Sequence, residues 1–324
     1  MKTLHLSADK QKDIEQAKEI LANGELVAIP TETVYGLAAD ASNPEAVKKI
    51  FAAKGRPANH PLIVHIGNMD QLSDWAQDIP EQAYQLAKAF WPGPVTMLLN
   101  KADKANSVVT GGLETIGVRM PAHGVFSTLL QSGLAVAAPS ANPYKKLSPT
   151  SAEHVLNSLG GKLAAVLDGG DCVHGLESTI VDLTQTPLRI LRSGPISAAQ
   201  LSDVLGEEVL SPKTHNVAVP GNVTSHYQPN TKVRLVDSQA LSNTQGKKVA
   251  YLHYSSLDES QQAIENVTSK QMSGNVAEYS YQLYRSLDEA DKWGCEEIWV
   301  ERPPLSDEWL AVHDRLNRAQ SKLS

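Results

Sequence analysis

Aromatic side chains are scarce in this 324-residue chain, at 5% of the total. Its cores must therefore be built from Val, Leu, Ile and Ala. Cysteine is scarcer still. Cys172 and Cys295 stand far apart, which gives neither a disulfide framework nor a metal-binding pair and fits a reducing compartment. No apolar run approaches the ~20 residues of a membrane helix. The N-terminus, Met1-Lys-Thr-Leu-His-Leu, meets Asp9-Lys10 without an apolar signal core. Basic excess is missing too: the formal net charge is −7, so no global footprint for nucleic acid exists. The expectation is a cytoplasmic protein with no membrane partner.

Missing motifs narrow the chemistry further. There is no Gly-rich Walker loop, no dinucleotide fingerprint and no kinase signature. A Gly-x-Ser-x-Gly elbow is absent, and so are His-Glu-x-x-His and Cys-x-x-Cys. Any nucleotide must be held by an unusual site.

What is present is an ordinary globular composition, 41% hydrophobic, in a chain long enough for two domains at ~100–200 residues each. Over the first two hundred residues, short apolar runs bounded by Gly or Pro alternate with helical periodicity. Leu26–Pro30, Leu62–Ile66, Val95–Leu99, Thr115–Arg119, Ala135–Ala138, Ala164–Leu167, Thr179–Leu183 and Leu188–Leu191 read as strands. Pro44–Ala53, Glu81–Trp91, Ser151–Leu159 and Ser197–Leu205 read as helices. This alternation predicts an α/β or α+β sheet domain over residues 1–208. A stretch rich in Pro, Asn, Ser, Thr and His predicts a linker over 209–231. A smaller α/β domain follows over 232–324, with strands at Val233–Val236, Val249–Tyr254 and Ile298–Glu301 and helices at Val276–Ala290 and Asp307–Gln320. Acidic residues outnumber basic ones there, fourteen to eleven, so it is no basic arm.

Polar residues collect at strand ends, where open α/β sheets place their sites. Pro30-Thr-Glu-Thr-Val-Tyr-Gly-Leu37 puts hydroxyls directly after a strand; a small polar ligand or a local cap would each account for them. Lys54-Gly-Arg56-Pro57, leading to His60-Pro61 and His65, brings two cations around one glycine. They fit a polyanion or a solvated helix end, and the flanking prolines favour a rigid functional loop. Ser140-Ala-Asn142 with Ser148-Pro-Thr150, and Gly175-Leu-Glu-Ser178-Thr179 with Arg192, complete the set. No activated nucleophile with a positioned base is visible. Cations, hydroxyls and amides suit phosphoryl or nucleotidyl transfer, where catalysis is positioning and charge stabilisation.

In this order, the four clusters resemble the YrdC-type threonylcarbamoyl-AMP synthases over roughly residues 10–206. The family's Lys-x-Arg…Ser-x-Asn signature is met by Lys54, Arg56, Ser140 and Asn142. His226-Tyr227-Gln-Pro229 resembles the interdomain motif of the long two-domain form. The resemblance implies a twisted open mixed sheet flanked by helices, then a smaller Rossmann-like α/β domain. It implies a reaction in which L-threonine, bicarbonate and ATP give threonylcarbamoyl-AMP and pyrophosphate. The product would pass to a tRNA threonylcarbamoyl transferase complex. Magnesium would ride on the phosphates of ATP. Lys54, Arg56, Ser140 and Asn142 would form the catalytic signature. ATP would meet Arg56, His60 or its neighbour Asn59, Thr115, Ser140, Ser148 and Arg192, with Tyr227 closing over it. Threonine would be held by Thr33, His65, Arg119 and Ser178, with the backbone at Ala138. A monomer is expected, and a weak RNA contact stays open. A non-catalytic RNA-binding module would need several phosphate-facing Lys or Arg, against the acidic total. Carbamoyl-phosphate-using relatives carry zinc fingers, which two cysteines exclude.

Overall fold

A computed structural model describes residues 2–212, 215–221 and 226–320. Positions 213–214 and 222–225 of the expected linker lie outside the described residues. The chain divides into two compact units, Met1–Tyr144 with Ser148–Asn222, and Lys145–Leu147 with Val223–Ser324.

The first unit is built on an eleven-stranded mixed sheet. Its order runs Leu4–Ser7, Ala165–Asp168, Val27–Ile29, Gly36–Asp40, Val136–Ala137, Ile63–His65, Thr115–Arg119, Val95–Lys101, Thr179–Asp182 and Arg189–Arg192, with Ala76–Gln77 beside Val95–Lys101. Side chains alternate across a strand, and here both faces are covered, which explains the nearly continuous apolar runs. Ala28, Leu37, Ala39, Val64, Ala137 and Val166 point to one core, closed by helices Pro44–Lys54, Glu81–Phe90, Ala152–Leu159 and Ala198–Leu205. Val27, Ile29, Ala38, Val136 and Leu167 point to the other, under helices Gln11–Ala22 and Gly124–Leu130. A third, small cluster of Ile63, Leu98, Ile180 and Leu191 lies under Val219.

The Pro44–Lys54 helix shows how the sequence fixes its ends. Asn43 caps it, accepting from the amides of Glu45 and Ala46, and Pro44 begins it. Gly55 stops it at φ +62°, a left-handed conformation that glycine adopts without steric cost. The amide of Arg56 then reaches back to the Phe51 carbonyl at 3.0 Å. That tight exit sets where Lys54 and Arg56 go.

The second unit is a four-stranded parallel sheet in the order Lys232–Val236, Glu297–Glu301, Val249–His253, Val267–Gln271. Helix Val276–Asp291 buries Tyr279, Leu283, Leu287 and Ala290 along one stripe. The expected last helix begins as a 3-10 turn, Asp307–Trp309, and becomes α-helical over Leu310–Ala319. Among the described residues, no helix is long and apolar enough to cross a membrane.

Candidate active site

Five side chains from four strands and one loop share a single face of the large sheet. His65 stands opposite Arg119 in parallel register. Thr96 stands opposite Ile180, two residues beyond Ser178. Arg192 reaches the same face through a β-bulge. The register shifts between Ile180 and Val181, so that Ile180 faces Arg192 while Val181 faces Ile190. A bulge of this kind re-aims one side chain without breaking the strand.

Arg119 is the centre of one group. Its Nε donates to the Gly93 carbonyl at 3.2 Å, Nη1 to Thr33 Oγ1 at 3.0 Å and Nη2 to Glu32 Oε1 at 2.6 Å. Both members of the Glu32–Arg119 ion pair are buried, at 6% and 5% side-chain exposure. Pro30 ends the preceding strand, and Thr31 knots the loop: its hydroxyl donates to the Val34 carbonyl at 2.6 Å and accepts from the amides of Thr33 and Val34. The proton between the two threonine hydroxyls, 2.8 Å apart, is then the one carried by Thr33. Burial would raise the Glu32 carboxyl, but Arg119 outweighs it and holds the group below its ordinary value. His65 is pushed down to about 3, by burial first and then by the Arg119 guanidinium, so its ring is neutral.

Ser178 is the centre of a second group. Arg192 donates from Nε to the Ser178 carbonyl at 3.0 Å and from Nη2 to its hydroxyl at 2.9 Å. Thr96 Oγ1 lies 2.7 Å from the same hydroxyl. Arg192 also donates to the Pro220 carbonyl at 3.1 Å. The backbone of Gly194 presses against this segment. A Cβ there would sit 2.4 Å from the Thr179 nitrogen and 2.7 Å from the Glu177 carbonyl oxygen.

The signature residues form a third group. Lys54 is buried, and its Nζ donates to the carbonyls of Ser140 and Asn142 at 2.5 and 2.6 Å. The ammonium thus clamps the Ser140–Asn142 turn from below. Burial, then the Arg56 cation, holds its pKa well below the ordinary lysine value, opposed by Glu177. Arg56 donates to the Pro61 carbonyl at 2.8 Å. Ser148 donates to Glu177 at 2.5 Å. Ala138 has no polar side chain; its amide donates to the Ile63 carbonyl, and its Cβ lies 3.1 Å from where a Gly36 side chain would begin.

The remaining expected residues have other neighbours. Thr115 begins the strand that Arg119 ends, about 13 Å away at ordinary strand rise. His60 is half-buried, its Nδ1 3.4 Å from Tyr144 Oη, while Asn59 is exposed. Tyr227 belongs to the second unit, where its backbone takes φ +60°, its ring stacks on Tyr284 and the Arg315 guanidinium lies 5.3 Å above it. Glu32, Glu177 and Thr96 had no role from sequence. The first two lay inside quoted motifs, but their partners, Arg119 and Ser148, are 87 and 29 residues away.

A sheet face carrying cations, hydroxyls and a neutral imidazole can bind a small carboxylate beside a polyphosphate. Comparison with known proteins gives the family. The family described as "Telomere recombination" (Sua5, YciO and YrdC proteins) matches residues 19–194, and the family described as "Threonylcarbamoyl-AMP synthase, C-terminal domain" matches residues 196–321. The chain belongs to the Sua5/YciO/YrdC family. Among its Sua5/YciO/YrdC relatives, the threonylcarbamoyl-AMP synthase of Pyrococcus abyssi is 39% identical over 324 residues, covering 94% of this chain and 93% of that one. The threonylcarbamoyl-AMP synthase of Bacillus subtilis is 44% identical over 230 residues, 69% of this chain and 66% of that one. The crystal structure of P. abyssi Sua5 complexed with L-threonine matches with a TM-score of 0.88 at 37% identity, covering 98% of this chain and 97% of that one. The likeness therefore extends over both units of this family member.

Proposed function

We propose that this protein is an L-threonylcarbamoyladenylate synthase. The observation that carries the reading is the likeness over nearly the whole chain to a Sua5 solved with L-threonine, in a protein whose own sheet face gathers Arg119, Thr33, His65 and Ser178. Threonine, as its ammonium, combines with bicarbonate to give the carbamate, releasing water and one proton. A carbamate oxygen then attacks the α-phosphorus of ATP, and the bond to pyrophosphate breaks.

In this reading Arg119 receives the threonine carboxylate. Thr33 and Ser178 supply hydroxyls, and His65 stays neutral, so it can accept or donate a hydrogen bond without adding a third positive charge. Arg56, Ser140, Ser148 and Arg192 serve ATP, and Lys54 shapes the turn that presents Ser140 and Asn142. Magnesium would ride on the triphosphate and neutralise part of its charge. Among the described residues, no cluster of three or more His, Cys, Asp or Glu could hold a metal ion, so we assign the ion no protein ligand. The acyl adenylate would be consumed by a tRNA threonylcarbamoyl transferase complex, in the cytoplasm where tRNA is modified. The test is pyrophosphate release with one substrate omitted at a time. Release should need threonine, bicarbonate and ATP together; equal release without threonine would refute the reading.

A further inference from the structure

We propose that Glu32 is a positioning residue for threonine binding, acting through Arg119. The inference rests on the proposed function and adds a residue to it. A guanidinium has five N–H donors in one rigid plane. Three are used: Nε on Gly93, Nη1 on Thr33 and Nη2 on Glu32. One N–H is left on each terminal nitrogen, enough donors for the two hydrogen bonds of a carboxylate fork. The direction of that fork is set by the three occupied donors, and the Glu32 contact, at 2.6 Å, is the shortest of them.

A neutral acceptor would not serve as well. Arg119 is 4% exposed, and a lone buried cation would be driven to swing towards any other acceptor or towards water. Glu32 removes that drive before the substrate arrives. Its backbone is fixed in turn, since Thr31 knots its loop. The His174 amide further ties the Glu32 carbonyl at 2.8 Å. Substrate binding therefore meets a fork already in place, with no cost of turning it.

The test is a double-mutant cycle on the full chain, read by calorimetric binding of L-threonine and by steady-state kinetics. Glu32→Gln keeps the side-chain shape and removes the charge. We expect its threonine Kd and KM to rise at least tenfold, with KM for ATP within twofold. Combined with Arg119→Met, the Glu32→Gln change should add no further loss, because both act through one contact. An unchanged threonine Kd, or losses that multiply in the double variant, would overturn the proposal. If Glu32→Gln does not fold, Glu32→Asp keeps the charge but withdraws it from Nη2. A folded Glu32→Asp protein with wild-type threonine affinity would overturn the proposal equally. A wild-type protein that binds no threonine would instead refute the proposed function.

Discussion

Lys54 and Arg56 are separated by Gly55 alone, and the proposed function gives them different duties. The Lys54 ammonium is directed at two backbone carbonyls. Lys54→Met removes the ammonium from both carbonyls, although Ser140 keeps the Asn142 amide at 3.0 Å, and should cost about 1–3 kcal/mol. The melting temperature should fall together with ATP affinity. Arg56→Ala should behave differently, with a fold close to wild type but kcat/KM lowered on the order of 10²–10³-fold, the worth of one pre-organised donor. Steady-state kinetics beside thermal melts separates the two. His65 gives a pH prediction. Its folded pKa, about 3, lies below the unfolded value near 6.5. The unfolded chain alone takes up the proton between those values, so stability falls as pH drops below about 6.5, by at most about 1.4 kcal/mol per pH unit. Urea melts of wild type and His65→Gln at pH 7 and pH 5 should show a shallower dependence in the variant. Glu32 is shifted in the same direction: its lowered pKa contributes stability that is present above about pH 4.5 and is lost on further acidification. Its effect therefore begins below the window used for His65.

At the scale of elements, two local features carry much of the site. Gly194→Ala would drive a Cβ into the backbone of Glu177–Thr179 and should cost roughly 1–3 kcal/mol by overpacking, with loss of activity as Ser178 moves. Asn43→Ala should cost about 1 kcal/mol through the lost helix cap, while leaving the kinetics nearly unchanged. Denaturant titration checks both. Elements with strong apolar punctuation were legible in sequence. The helix at Pro44, with Ala46, Val47, Ile50 and Phe51 on its buried face, is one, and the strand Thr115–Arg119 matches end to end. Helix Gln11–Ala22 carries little signal in sequence, because Lys10 offers no side-chain cap and only Ile14, Ala17 and Leu21 are buried. The strand Val267–Gln271 is half-exposed and polar, so no apolar run marks it. Gly36–Asp40 is a strand hidden in what read as a motif. The bulge that aims Arg192 depends on a register slip between strands, which no spacing within one strand encodes.

For the whole molecule, residue type and order conveyed the reaction class, whereas pairing conveyed the division of labour. The sequence placed cations and hydroxyls at strand ends. It could not show that Arg119 carries its own counter-ion from 87 residues away, or that the signature lysine faces inward to carbonyls. The central claim is that one site joins three substrates into one adenylate. The most direct test is incubation with ¹⁴C-bicarbonate, L-threonine and ATP, followed by chromatography and mass measurement of the nucleotide products. The account predicts a labelled adenylate carrying threonine, formed in step with pyrophosphate and absent when threonine is omitted. Pyrophosphate release that leaves the label out of the nucleotide fraction would contradict it.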